Sequence, residues 1–369
     1  MLNKGQSEEE LFRFLAEKKS GDIDHDFILS SMCTIPHSVA VRAHCLFMET
    51  NLGDPGLFPG TSSLEHLLIQ RFATLFHCET AGGYATSGGT ESNIQALRLA
   101  KAEKNGVASP NVIVPDSAHF SFKKACDFLG IRMCRVPLSK DYRMDADAAA
   151  GFIDKNTIAI IGVAGTTEYG MVDPITRLGK IAEQNDLFFH VDAAFGGMVI
   201  PFLDRPVPFD FSVPGVTTIA VDPHKMGMST IPCGCLLTRE PNLLDRLNID
   251  TPYLTVKQQH TLGGTRPGAP VAGALAVLDY LGFEGMKAVV AGCMKNTGRL
   301  IAGMETLGHT RAATPDVNVA TFVCEKDAVP GPWKVSWTCR KHLRIVCMPH
   351  VHADRVEVFL NDVQKHRNK

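Results

Sequence analysis

Apolar residues recur at two different spacings along this chain. Leu64, Leu67, Leu68, Phe72 and Leu75 return every three or four positions and predict a helix over 63–76. From Gly82 onward the texture becomes short unbroken apolar runs: "NVIVP", "IRMCRVP", "TIAIIGVAG", "LFFHVD", "VTTIAVD" and "CGCLLT". Helical patterns lie between several of them, as in "NIQALRLAKAEKN", "SFKKACDFLG" and "ITRLGKIAEQN". Strands without polar alternation, interleaved with helices, predict an α/β unit whose mostly parallel sheet is covered on both faces.

The flanks read differently. Residues 1–20 predict an amphipathic helix, and 21–60 an irregular segment ending in the turn-rich "NLGDPGLFPGT". Beyond Thr255, "GAPVAGALAVLDYLG" and "MKAVVAGCMKNTGRLIAGME" predict long helices. A strand "VNVATFVC", a helix "WKVSWTCRKHL", a strand "RIVCMP" and a helix from His352 then predict a small α+β lobe. The expected division is an N-terminal segment 1–60, a large domain 61–255 and a C-terminal domain 256–369.

Composition narrows the function classes. The 369 residues carry a net charge of −2 with no dense basic run, which argues against a nucleic-acid partner held through phosphates. No apolar stretch approaches the roughly 18 residues of a membrane span, and the polar, acidic start is unlike a targeting signal. The 11 cysteines form no CxxC pair, so no metal site is expected. Scattered buried thiols fit a reducing, cytoplasmic setting.

Four features sit where strands end or helices begin. "VDPHKMG" places Lys225 after an apolar strand, where desolvation favours a neutral, nucleophilic amine. "TSGGTES" puts Gly89 and Thr90 before a helix, as a phosphate cradle or as an ordinary cap after a glycine turn. Asp192 ends the strand of "HVDAAFGG" and reads as a metal ligand, a general base, the partner of a cationic heterocycle or a plain turn cap. His119 in "VPDSAHFSF" taken alone reads as structural. A phosphate cradle, a carboxylate and a strand-end lysine, in that order, are the parts that hold pyridoxal phosphate.

The blocks "SGGTESN", "HFSF", "GTTEYG", "HVDAAFGG" and "DPHKMG" together resemble the group II pyridoxal-phosphate-dependent amino-acid decarboxylases of fold type I, above all the archaeal L-tyrosine/L-aspartate decarboxylases. The likeness extends to "SMCTIPH", "LGGTRPG" and "LRIVCMPH". It implies the PLP-dependent transferase fold type I: a large domain with a mostly parallel seven-stranded sheet, plus a small C-terminal α+β domain. It further implies that Lys225 joins the cofactor's aldehyde, that Asp192 pairs with its pyridine nitrogen and that His119 stacks on the ring. Gly89 and Thr90 would take the phosphate, helped by Asp222 or His224. Thr166 would lie near the phenolic oxygen, with Ala194 under the ring. In a homodimer with shared active sites, Gly264 and Thr265 would reach the partner's phosphate. Arg344 matches a position near the substrate and reads equally as a structural ion pair. Thr34 and His37 would add polarity to a substrate pocket, and Tyr253 is a candidate proton donor or a structural tyrosine.

The implied activity is decarboxylation of a small-molecule amino acid in the cytoplasm. L-Aspartate would give β-alanine for coenzyme A, or L-tyrosine would give tyramine for methanofuran. The alternatives are an L-glutamate decarboxylase and a sphingosine-phosphate lyase-like aldolase, since "GTRPG" and "SGGTES" also resemble that family.

Overall fold

A computed structural model describes residues 4–367. Residues 1–3 and 368–369 of the expected terminal segments lie outside the described residues. The predicted strands all form. β1 (Gly82–Thr86), β2 (Asn111–Pro115), β3 (Arg132–Val136), β4 (Thr157–Val163), β5 (Phe188–Asp192), β6 (Thr218–Val221) and β7 (Gly234–Thr238) make one sheet. Its order is β1-β7-β6-β5-β4-β2-β3, with β7 antiparallel to both neighbours and the other pairs parallel. β1 has no apolar run to announce it in the sequence, because Gly82 and Gly83 lack the apolar side chains of the other strands.

Alternating side chains of these strands feed two cores. Ile113, Ile160, Phe189, Val191 and Ile219 feed one core, and Val112, Val114 and Ile161 the other. That two-sided demand explains the lack of polar alternation. Each such side chain contributes about 1.5–3 kcal/mol when fully buried.

The helices are α1 (Glu8–Lys19), α2 (Ser38–Leu46), α3 (Pro59–Leu75), α4 (Gly89–Glu103), α5 (Ser121–Leu129), α6 (Ala146–Gly151), α7 (Ile175–Gln184), α8 (Ala269–Thr306) and α9 (Ala353–Arg367). α3 starts four residues before the expected Ser63, because Pro59 occupies the first turn, where its missing N–H costs nothing. α8 is the two predicted helices joined at Gly282, whose φ of 60° and ψ of −171° break the helical path. α1 carries a capping box between Ser7 and Glu10, yet buries none of its residues.

Two expectations are corrected. The segment 21–60 is not irregular throughout, since α2 forms within it, capped by the His37 ring, and packs on α8. "WKVSWTCRKHL" is not a helix. After the short ribbon β8 (Ile249–Asp250) and β9 (Gln258–Gln259), a second sheet runs β10 (Thr310–Arg311), β11 (Val319–Val323), β13 (Leu343–Val346), β12 (Ser336–Trp337), in that spatial order. Trp333, Val335 and Trp337 alternate into the core of this lobe, the period of a strand.

Candidate active site

The parallel strands carry their C-terminal ends to one edge of the large sheet, where open α/β folds place ligands. A cavity of about 330 Å³ opens there. Of the residues expected from sequence, Gly89, Thr90, His119, Asp192, Ala194, Asp222, His224 and Lys225 line it.

The wall at the start of α4 is bare backbone. Gly88 precedes the helix at φ 140°, and no side chain caps its free N–H groups. The ordinary-cap reading of this turn therefore falls. A Cβ on Gly88 would come 2.9 Å from the His224 ring, and one on Gly89 would come 2.9 Å from Ala194 Cβ. Neither position has room for a side chain, and a bare helix start of this kind suits an anion. Glu91, by contrast, turns back to accept the Ser87 N–H and the Tyr84 hydroxyl.

Asp192 leaves β5 with its carboxylate fixed. Oδ1 accepts the Ala194 N–H at 3.1 Å, and Oδ2 accepts from Asn93 Nδ2 at 2.9 Å. Lys225 Nζ lies 3.1 Å from Asp222 Oδ2. Burial pulls this ammonium down, but Asp222 and then Asp192 outweigh burial and leave it above its ordinary value. In the protein alone, Lys225 is thus a paired cation rather than the neutral amine expected from burial. The Asp222 carboxylate is engaged with the lysine, and its other oxygen, Oδ1, is buried without a partner. His224 accepts the Cys233 N–H on Nδ1, which leaves Nε2 as its N–H donor. His119 accepts the Ser121 N–H on Nδ1, and burial lowers its pKa.

Seven expected residues do not line the cavity. Thr166 is fully buried, its hydroxyl accepting the Met171 N–H, and its neighbour Thr167 stands on the wall instead. Thr34 bonds the His350 ring, and His37 caps α2. Tyr253 is 85% exposed between β8 and β9, and Gly264 and Thr265 are exposed beyond β9. Arg344, 6% exposed on β13, sits behind the wall, where its guanidinium bonds the Thr167 and Ser30 carbonyls and the Ser336 hydroxyl. Its Nη2 has no partner, and burial pushes its pKa down to about 10.

Sequence reasoning missed three residues near this edge. Asn93 lines the cavity, His190 stands buried behind it, and Arg266 locks "GTRPG" in place through Glu65 and the Ala85 and Leu52 carbonyls. Asn93 and His190 lay inside quoted motifs, so only their orientation was hidden. Among the described residues, no helix is long and apolar enough to cross a membrane, and no group of three or more His, Cys, Asp or Glu could hold a metal ion.

The similarities to known proteins agree with this geometry. Residues 50–324 match the pyridoxal-dependent decarboxylase conserved domain. A protein named probable L-tyrosine/L-aspartate decarboxylase from Methanoregula boonei is 74% identical over 98% of both chains. One named probable L-aspartate decarboxylase from Archaeoglobus fulgidus is 48% identical over 93% of this chain and 95% of its own. In fold, the chain overlays a Burkholderia pseudomallei sphingosine-1-phosphate lyase with a TM-score of 0.90 at 24% identity, covering 100% of this chain and 92% of that one. A Lactobacillus brevis glutamate decarboxylase gives 0.91 at 20% identity, covering 100% and 94%. A cavity that gathers an uncapped helix start, a fixed carboxylate and a lysine, on a chain matched along most of its length, leads to one conclusion: this protein belongs to the pyridoxal-dependent decarboxylase family and is a carboxy-lyase that uses pyridoxal phosphate.

Proposed function

We propose that this archaeal enzyme removes the α-carboxylate of L-aspartate, giving β-alanine, or of L-tyrosine, giving tyramine, or acts on both. The names of the relatives support this substrate class. The observation that carries it is the convergence of Lys225, Asp192, His119 and the uncapped start of α4 on one cavity. The products would feed coenzyme A or methanofuran synthesis.

The residues present suit pyridoxal phosphate. When bound, it supplies a ring that takes up the electron pair left as carbon dioxide departs. The free N–H groups at Gly89 and Thr90 suit its phosphate, with His224 Nε2–H beside them. The Asp192 carboxylate would hold a proton on the ring nitrogen by opposite charge. His119 would cover the ring, with Ala194 on the wall near Gly89, and Thr167, which lines the cavity, would serve where Thr166 was expected. A carboxylate repels a phosphate, so we assign Asp222 to the lysine instead: it receives and returns the proton of Lys225 Nζ. Arg344 Nη2 is buried without a partner, and its guanidinium is anchored to the carbonyl of the cavity-lining Thr167, which supports a role for Arg344 in holding the substrate's α-carboxylate.

We further propose a large cofactor-binding domain over 61–255 and a smaller one over 256–369, in a homodimer within the cytoplasm. Leu11, Phe12, Phe14 and Leu15 of α1 are exposed, and Tyr253, Gly264 and Thr265 lie outside their own chain's cavity, which supports a second copy completing the site. All 11 cysteines are free, which supports a reducing compartment. Incubation with a panel of L-amino acids, assaying carbon dioxide and amine together, tests the function. Equal yields of carbon dioxide and β-alanine or tyramine are expected. An aldehyde product without carbon dioxide would overturn the reading.

A further inference from the structure

A chain of hydrogen bonds leads back from Asp192 at the cavity through Asn93, His190, Thr218 and Ser121, residues that no step above uses. Thr218 Oγ1 meets His190 Nδ1 at 2.8 Å, and His190 Nε2 meets Asn93 Oδ1 at 2.9 Å. Asn93 Nδ2 then donates both to Asp192 Oδ2 and to Ser121 Oγ, each at 2.9 Å. Every member is buried, and Thr218, His190 and Ser121 completely so.

We propose that Asn93 is the positioning residue that sets Asp192 and His119 relative to one another, and that His190 fixes the direction in which Asn93 faces. This rests on the reading that Asp192 faces the ring nitrogen of the cofactor.

One assignment of donors satisfies the chain. A carboxylate only accepts, so the amide NH₂ of Asn93 must face Asp192. Its carbonyl oxygen then faces His190, which must donate from Nε2. His190 Nδ1 is left as an acceptor and takes the Thr218 hydroxyl proton. Turning the amide over would set its oxygen against the carboxylate oxygen, with no donor between two buried acceptors. Burial pushes the His190 imidazole down to about 4, so it stays neutral at neutral pH and keeps one donor and one acceptor.

The second N–H of the amide reaches the start of α5. Ser121 opens α5, and its backbone N–H donates to His119 Nδ1 at 3.2 Å. The His119 proton is therefore on Nε2. One carboxamide thus holds the carboxylate directly and the histidine through Ser121. The Ala194 N–H alone would leave Asp192 Oδ2 without a donor and free to swing.

The test follows cofactor binding and ring protonation rather than turnover. Apoenzyme would be titrated with pyridoxal phosphate labelled with ¹⁵N in the ring, recording the Kd and the nitrogen chemical shift. Apoenzyme thermal unfolding checks that each variant is folded. Asn93→Leu is expected to raise the Kd roughly 10- to 100-fold, the factor of one hydrogen bond to a charged group, and to move the shift toward neutral pyridine. His190→Leu should move both readouts the same way, and His190→Gln, which keeps a donor and an acceptor, should restore them. If Asn93→Leu does not fold, His190→Leu and Thr218→Val decide the matter by the same readouts. Wild-type values in folded Asn93→Leu and His190→Leu, alongside a moved shift in Asp192→Asn, would overturn this inference alone. An unmoved shift in Asp192→Asn would overturn the reading of Asp192 beneath it, and this inference with it.

Discussion

Lys225 Nζ stands 3.1 Å from Asp222 Oδ2, three residues earlier on the same tight loop after β6. The lysine's amide also donates to the Asp222 carbonyl, so backbone and side chain tie the two together. The pair holds the amine at the cavity, with a carboxylate beside it as a proton acceptor.

Borohydride treatment of the holoenzyme should fix the cofactor to Lys225, and peptide mapping would locate it. Recovery on another lysine would sink the assignment. Lys225→Ala should lose more than the ~10²–10⁴ in turnover that removing an acid–base group costs, since covalent attachment and positioning go together. In the apoenzyme the Asp222 pairing keeps Lys225 above its ordinary 10.5. Its contribution to stability is therefore fully present at neutral pH and is lost as pH rises through the raised value. Chemical denaturation of wild type and Asp222→Asn should differ at pH 7, and the difference should shrink at strongly alkaline pH.

Gly88 is expected to be intolerant for a local reason. Its φ of 140° strains any other residue, and a Cβ would press on the His224 ring. Gly88→Ala should cost about 1–3 kcal/mol, the price of a residue held in a sparsely populated backbone region. Binding of pyridoxal phosphate should fall as the cradle shifts. Unaltered cofactor affinity in a folded Gly88→Ala enzyme would mean that the phosphate lies elsewhere.

His190 should leave a signature in acid. Its folded pKa of about 4 lies below the ordinary 6.5. The unfolded chain therefore binds a proton that the folded one refuses, and stability falls as pH drops from about 6.5 toward 4. The loss amounts to roughly 3 kcal/mol at about 1.4 kcal/mol per pH unit. His190→Gln does not titrate there, so its advantage over wild type should grow across that window in urea melts. Parallel acid limbs for the two proteins would contradict this.

Arg344 is predicted to serve every substrate alike. Its guanidinium is held to the Thr167 carbonyl, on a residue of the cavity wall, and by Ser30 and Ser336. Lysine cannot reproduce that planar fork. Arg344→Lys should lower kcat/KM for aspartate and tyrosine equally, by about 1.5–3 kcal/mol in barrier. Loss with aspartate alone would instead place Arg344 at the side-chain carboxylate.

Much of the architecture is written in local pattern. Apolar runs such as Ile158–Ile161 are legible because a strand buried on both faces has no place for a polar residue. Lys225, Asp192 and His119 were legible because strand ends at one sheet edge converge whatever the details of packing. The helix expected over 333–343 does not form, for an equally local reason: Trp333, Val335 and Trp337 alternate with the period of a strand into the core of the small lobe.

What pattern cannot carry is the partner of each polar group. Thr166 and Thr167 are adjacent and identical, and only the turn of the chain after β4 decides which one meets the cavity. Asp222 looks like a phosphate-side residue until Lys225 is seen against it. Asn93 and His190 are 97 positions apart, and nothing along the chain announces that they touch. Hydrophobic burial depends on composition and period, which a sequence displays. A hydrogen bond depends on distance and angle between groups far apart in the chain, and those exist only once the chain has folded.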